Sequence, residues 1–412
     1  FALQEALDAG RPVPASAARL DRAVPWVPYL ETELAFRMDV LAAFMSLIVL
    51  GVGALVLAYC ARYFREHEPR NAVFGGQLLA FAGAMFGLVT TDDLMVLYTF
   101  WEITSVLSFL LIGYSGHRIF ARRSAITALI VTTFGGLAML AGLIMLAHFA
   151  GSWRISGVLE AAPALMADAG LRGLLEVAVA LVLIGALTKS AQAPFHFWLP
   201  GAMAAPTPVS AYLHAAAMVK AGVFLVARLA PEFHGLAMWQ VLVIGVGLWT
   251  LLLGGWRALR QTDIKLVLAY GTVSQLGFLM VANGLGTRDA AMAGLAMLLA
   301  HAVFKAPLFM VVGIIDHEAG TRDLRQLSGI GRRHPALAAV AVVAGLSMAG
   351  LPPLFGFVAK ESVLEGLAAH GVAHADVWGW TPLVLMTVGS VLTFAYTWRF
   401  LWGSFAAKRD EE

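Results

Sequence analysis

The sequence predicts an all-α polytopic membrane protein, on three observations. Of 412 residues, 60% are hydrophobic and 13% charged, whereas a soluble domain carries about 25% charged residues. The mean hydropathy is +0.79. A spanning helix needs roughly 20 mostly apolar residues, and the apolar residues gather into about eleven candidate segments. None alternates apolar and polar residues over about ten positions, as a barrel strand would, so the spans are helices.

Residues 1–38 read as an extramembrane segment. "FALQEALDAGRPVPASAARLDRAVPW" lacks the basic head, apolar stretch and small-residue cleavage site of a signal peptide. It has the look of a loop, and the chain that of a fragment without its earlier helices. Residues 39–412 form one transmembrane domain. Spans are expected at 40–61, 74–90, 94–114, 124–149, 173–200, 207–229, 237–256, 264–284, 289–315, 336–371 and 380–402. Two of them, 173–200 and 336–371, are too long or too interrupted by proline to be plain helices.

Basic loops stay on the cytoplasmic side. "RYFREHEPR", "SGHRIFARRS" and "WRALRQTDIK" carry three Lys or Arg each, and "DHEAGTRDLRQLSGIGRRHP" carries four. The alternate loops, "TTDD", 150–172, "LAPEFHG", "NGLGTRD" and "HGVAHADVWGW", are nearly bare. The first set is inside, provided that 173–200 and 336–371 each cross once, in opposite senses. The basic residues before position 39 do not follow this pattern.

In the first interrupted span, Pro194 and Pro200 remove backbone donors and clash with the preceding turn. The freed carbonyls cannot be satisfied by lipid, so such a break belongs inside protein or beside water. Lys189 precedes it. "GLSMAGLPPLFGFVAKESVLEG" repeats the arrangement with Pro352, Pro353 and Lys360. One such break is ordinary packing; two, each beside a lysine and crossing in opposite directions, point to an ion path.

A lysine at mid-span costs approximately 2.5–3.5 kcal/mol on insertion scales, so several in one chain imply pairing, water or function. The series is Glu102, Lys189, Lys220, Lys305 and Lys360, with His196, His214 and His301. Glu102 is the only charge of "LMVLYTFWEITSVLSFLLIGY". Opposed to a lysine about 7 Å away at an effective dielectric near 20, it gains about 2 kcal/mol, enough to switch its protonation. His301 and Lys305, at i and i+4, share one helix face. His214 and Lys220, six residues and about 600° apart on a continuous helix, do not. A buried histidine is as readily a satisfied core residue as a relay, which applies to His196 and His214. Asp39, Asp92, Asp93 and Asp263 stand at span ends, where capping is the ordinary role. Ser274 and Gln275 suit interhelical hydrogen bonds.

No cofactor or metal is expected. The net charge of +2 makes no case for nucleic acid, and the one cysteine, Cys60, excludes an internal disulfide or a cysteine-based cluster. No HExxH or close histidine and carboxylate cluster occurs.

"LYTFWEITSVLSFLLIGY", "TKSAQAPFHFWLPGAMAAPTPVSAYLHAAAMVKAG", "DIKLVLAYGTVSQLGF", "LAHAVFKAPLFMVVGIIDHEAGTRD" and "GLSMAGLPPLFGFVAKE" resemble the antiporter-like subunits shared by Mrp-type cation/proton antiporters and respiratory complex I. The wording is most similar to the large A subunit of the Mrp antiporter, and the resemblance runs from about residue 35 onward. It implies two inverted five-helix repeats, about 74–229 and 237–402, each with one interrupted helix. By matching positions it also implies a proton path of Glu102, Lys189, His214 and Lys220 in the first repeat, with His301, Lys305 and Lys360 in the second. The implied function is a proton-translocating subunit of a multisubunit Na⁺ (or other monovalent cation)/H⁺ antiporter in a bacterial plasma membrane. The chain would be no enzyme, and its partners would be other membrane subunits and the bilayer. Two alternatives stay open: a proton-pumping subunit of NADH:quinone oxidoreductase, and a scaffold whose charges only hold helices together.

Overall fold

The computed structural model describes residues 20–27, 32–64, 71–374 and 377–408. Most of the start expected to be a loop, and most of the loop "RYFREHEPR", lie outside the described residues. Where the start is described it is not a loop. Strands β1 (Leu20–Val27) and β2 (Thr32–Met38) pair antiparallel, from Leu20↔Met38 to Val27↔Thr32. In "ELAFRM" Leu34, Phe36 and Met38 fall on one face of the strand and Glu33, Ala35 and Arg37 on the other, by the two-residue period of a strand. Ala35 is the covered residue; its carbonyl accepts from Asp92 N at 2.8 Å and Thr91 Oγ1 at 3.3 Å, which docks the hairpin on "TTDD".

The helices that follow are α1 (Val40–Tyr63), α2 (Asn71–Thr90), α3 (Leu94–Ile112), α4 (Ile119–Ala150), the short α5 (Ile155–Ala167) and α6 (Arg172–Lys189). Next come α7 (Thr207–Leu213), α8 (Lys220–Phe233), α9 (Ala237–Leu259, with a π-helical turn at Gln240–Gly245) and α10 (Ile264–Gly284). The last are α11 (Arg288–Ala319), α12 (Pro335–Ala349), α13 (Phe355–His374) and α14 (Val377–Phe405). Among the described residues, eight helices are long and apolar enough to cross a membrane. They are α1 to α4, α9 to α11 and α14. The three expected segments outside that set are the ones built from shorter pieces.

Capping aspartates start three of these helices, as their positions predict. Asp39 Oδ1 accepts from Ala42 N at 3.0 Å, Asp93 Oδ1 from Met95 N and Val96 N at 2.8 and 2.9 Å, and Asp263 Oδ1 from Lys265 N at 2.7 Å. Asp92 instead binds Ser156 at the head of α5. Asp39 also pairs with Arg228 of α8, and Arg37 Nε stands 3.7 Å away. Burial works against its ionisation, but the Arg228 guanidinium, the Ala42 N–H and Arg37 together outweigh burial and hold the carboxyl below the usual carboxylate range.

α10 is buried on nearly every side at the centre of the bundle. Large apolar side chains such as Leu47, Ile130, Phe134, Trp398 and Trp402 face outward, as a lipid-facing surface requires. The break expected at 336–371 falls between α12 and α13. α12 stops at Gly350, whose φ of 83° suits glycine; Pro352 and Pro353 follow, and Phe355 restarts the helix. The break expected in 173–200 begins just after Lys189. The segment expected as one span at 207–229 differs: the helix also opens between Leu213 and Lys220, in "HAAAMV". That stretch contains neither proline nor glycine. Its backbone is bent by contacts, Ser190 Oγ donating to Val219 O at 2.7 Å.

Candidate proton path

Lys189 ends α6, fully buried, and crosses to α3. Its Nζ donates to Trp101 O at 2.6 Å and Ser105 Oγ at 2.9 Å and lies 4.7 Å from the Trp101 ring centre. Glu102, the next residue on α3, is within electrostatic reach of Lys189 but is not its hydrogen-bond partner. Glu102 is only half-buried, at the edge between α3 and α4, not enclosed as the sequence reading expects. Its Oε2 accepts from Thr133 Oγ1 at 3.4 Å, and its enclosed Oε1 has no protein partner. Gly136 makes room for it: a Cβ there would stand 2.0 Å from Oε1.

The hydrogen bond from Ser190 to Val219 brings the residues following Lys189 and preceding Lys220 into contact. Close approach of α6 and α8 depends on Gly222, where a Cβ would meet Ala186 O at 2.2 Å. Lys220, also fully buried, donates to Leu298 O on α11 at 2.9 Å. One turn along α11 stands His301, within electrostatic reach of both Lys220 and Lys305 and facing the Ala215 backbone. Neither of its ring nitrogens makes a hydrogen bond of ordinary geometry. Lys305 donates to Leu268 O of α10 at 3.1 Å. Beyond it lie Tyr396, whose OH is 3.4 Å from Gly271 O, and Gln275, which donates to Thr393 Oγ1 at 2.9 Å. Ser274 reaches Leu251 O at 2.8 Å, so both expected interhelical hydrogen bonds of "TVSQLGF" are present.

The structure thus brings Lys189, Lys220, His301 and Lys305 into one succession across α6, α8 and α11, with α10 supplying the Leu268 carbonyl at its end. Lys360 sits apart at the second break, 6% exposed, donating to Met348 O at 3.3 Å and Ala349 O at 3.1 Å. These are carbonyls that the end of α12 leaves open. His214 is buried between Trp198 and Phe309, with ring centroids 6.3 and 6.4 Å away, and both nitrogens lack protein partners. It is within reach of Lys265. The helical-wheel separation of His214 from Lys220 does not apply, because no continuous helix joins them. His196, in the turn Phe195–Phe197, is half-buried and faces Arg257 rather than the succession.

Buried polar atoms in proteins are nearly always hydrogen-bonded. The ring nitrogens of His214 and His301, with Gln192 Oε1, Gln275 Oε1 and Glu102 Oε1, are exceptions: each is enclosed and makes no hydrogen bond of ordinary geometry to protein. Among the described residues no group of three or more His, Cys, Asp or Glu could hold a metal ion. Lys265 is a buried charge absent from the sequence-derived series. It stands two residues after a capping aspartate, which reads as a span end; the 19 mostly apolar residues that follow it in the same helix were the available signal.

The family described as NADH:quinone oxidoreductase/Mrp antiporter, transmembrane, matches residues 91–393, and the N-terminal family of complex I chain 5 matches residues 26–74. The chain belongs to this antiporter-like family. It is 46% identical over 395 residues to a probable A/B subunit of a K⁺/H⁺ antiporter from Rhizobium meliloti, covering 96% of this chain and 39% of that protein. It is 42% identical to the A subunit of the Na⁺/H⁺ antiporter of Alkalihalophilus pseudofirmus, covering 95% of this chain and 50% of that one. The chain therefore spans half or less of these relatives. Among solved structures, the Mrp complex from Dietzia sp. DQ12-45-1b superposes with a TM-score of 0.88 at 41% identity, over 95% of this chain and 43% of that chain. An archaeal membrane-bound sulfane sulfur reductase shares the fold at a TM-score of 0.79 and 23% identity, over 91% of this chain and 76% of that one. With its bacterial antiporter relatives and its apolar helices, this antiporter-like chain is a multi-pass protein of the bacterial plasma membrane.

Proposed function

We propose that this chain is the proton-translocating part of a multisubunit monovalent cation/proton antiporter, working beside other membrane subunits. The observation that carries the reading is the succession Lys189, Lys220, His301, Lys305 through a closed interior. Each lysine in it is held by backbone carbonyls or a hydroxyl and not by a carboxylate. A lysine without a fixed counter-ion is not locked in its charged form and can release and regain a proton. Glu102 acts on Lys189 from the end of the line: its charge holds the proton on Lys189, and its neutralisation releases that proton toward Lys220. His301 links the halves through Lys305, and Lys360 is the terminal group at the second break. His196 stays off this path. The relatives named for Na⁺/H⁺ and for K⁺/H⁺ exchange support a small monovalent cation as the counter-transported ion.

The finer architecture we infer is eleven crossings, ten of them in two inverted repeats at about 74–229 and 237–402. Its support is that α6 and α12 each end at a proline break with a buried lysine hydrogen-bonded beside it. The family description also covers NADH:quinone oxidoreductase, so a proton-pumping subunit of a redox-driven complex is the second reading. The test is Glu102→Ala in the assembled complex, measured as cation-dependent proton movement in everted vesicles. Undiminished exchange would sink the proposal.

A further inference from the structure

A cavity of about 660 Å³ opens where the basic loops converge, walled in part by Arg118, Pro206, Asp263, Lys265, Asp316 and Arg322. The loops before α10 and after α11 are tied together here by Ile264 N to Arg322 O at 2.9 Å and Leu324 N to Thr262 O at 2.8 Å. Arg322 takes up the nearby carboxylates, standing 3.1 Å from Asp263 Oδ2 and 3.9 Å from Asp316 Oδ2. Lys265 is left with a neutral partner: its Nζ donates to Ala205 O at 2.7 Å, and the residue is 2% exposed. It therefore touches the cavity with a buried ammonium group that no carboxylate fixes. On its inner side it is within electrostatic reach of His214, whose two ring nitrogens are free. The next residue, Ala215, lies against His301 in the middle of the line.

We propose that Lys265 is the proton-loading residue of this path at the basic-loop face, taking protons from cavity water and passing them to His214. The step moves only a proton: Lys265 gives one N–H proton to a ring nitrogen of His214, and the neutral amine takes another from water in the cavity. His214 delivers it across the α7–α8 break to His301, so the inlet joins the line at its centre. The inference rests on the proposed function, naming how protons reach its axis.

The alternative is that Lys265 only anchors Ala205 or supplies a fixed charge. Lys265→Arg separates the two, because arginine keeps the charge and the donor but does not give up its proton. In the assembled complex in everted vesicles, Lys265→Arg and Lys265→Gln should each lower exchange by at least about tenfold, a threshold set below the roughly 10²- to 10⁴-fold that a positioned proton-transfer group contributes. Native exchange in Lys265→Arg overturns the inference. As a second measurement, Lys265→Cys in a cysteine-free background, Cys60→Ser included, is treated with thiol reagents from the side that everted vesicles expose. Attaching an aminoethyl group should restore exchange, whereas a trimethylammonium group of fixed charge should not. Recovery with both reagents, modification without recovery, or no modification from that side, checked by mass spectrometry, overturns it. Glu102→Ala is run alongside: native exchange there removes the parent reading, while loss there with native Lys265→Arg removes only this one.

Discussion

Glu102 is a carboxylate seated by what its neighbour lacks. Because a Cβ on Gly136 would overlap Oε1 at 2.0 Å, Gly136→Ala should push the carboxylate out of reach of Lys189. Exchange is then expected to fall to the level of Glu102→Ala, while Gly83→Ala, whose Cβ meets nothing within 4 Å, stays at the native rate. Asp39 gives a pH signature. Its carboxyl is held below its ordinary value of 3.8 in the folded state. Its pairing therefore stabilises the fold fully above pH 3.8 and is lost as pH falls through the lower folded value. Thermal melting should show native protein more stable than Asp39→Asn at neutral pH, with the gap closing below pH 3.8. At this scale the sequence was legible where a charge interrupts a long apolar run, as with Lys189, Lys220, Lys305 and Lys360. It was silent on hydrogen-bond partners, because Trp101 O, Leu298 O and Leu268 O are backbone atoms brought up by packing.

Two open helices meet at the centre of the molecule, and Ser190 joins them. Ser190→Ala would leave Val219 O buried without its partner, at a cost of about 1–3 kcal/mol. A lower unfolding temperature of the purified protein is expected; an unchanged one would mean that the α7–α8 break holds without this bond. The prolines at 194, 200, 352 and 353 announced the breaks after α6 and α12. Nothing in "HAAAMV" announced the one after α7, since alanine and methionine favour helix and only tertiary contacts open it. The hairpin of β1 and β2 was missed for the opposite reason: its apolar alternation, Leu34, Phe36 and Met38, is short, and the Ala35 carbonyl finds its partners only once "TTDD" is there to supply them.

For the whole molecule, the loops sort as their charges predict. Those walling the Lys265 cavity carry arginines, and the hairpin and Trp153 dock beside "TTDD" at the bare end. What the composition cannot convey is how the buried charges line up, because that order depends on α6, α8, α10 and α11 converging around carbonyls from different parts of the chain. The central claim is that Lys189 passes a proton instead of merely carrying a charge. Its most direct test is Lys189→Arg in the purified complex, reconstituted into proteoliposomes, with lumen pH followed after a cation gradient is imposed. Arginine preserves the charge opposite Glu102 and does not release a proton. The account predicts that the native complex moves lumen pH and that the variant, assembled normally, does so at least about tenfold more slowly. Equal rates would contradict it.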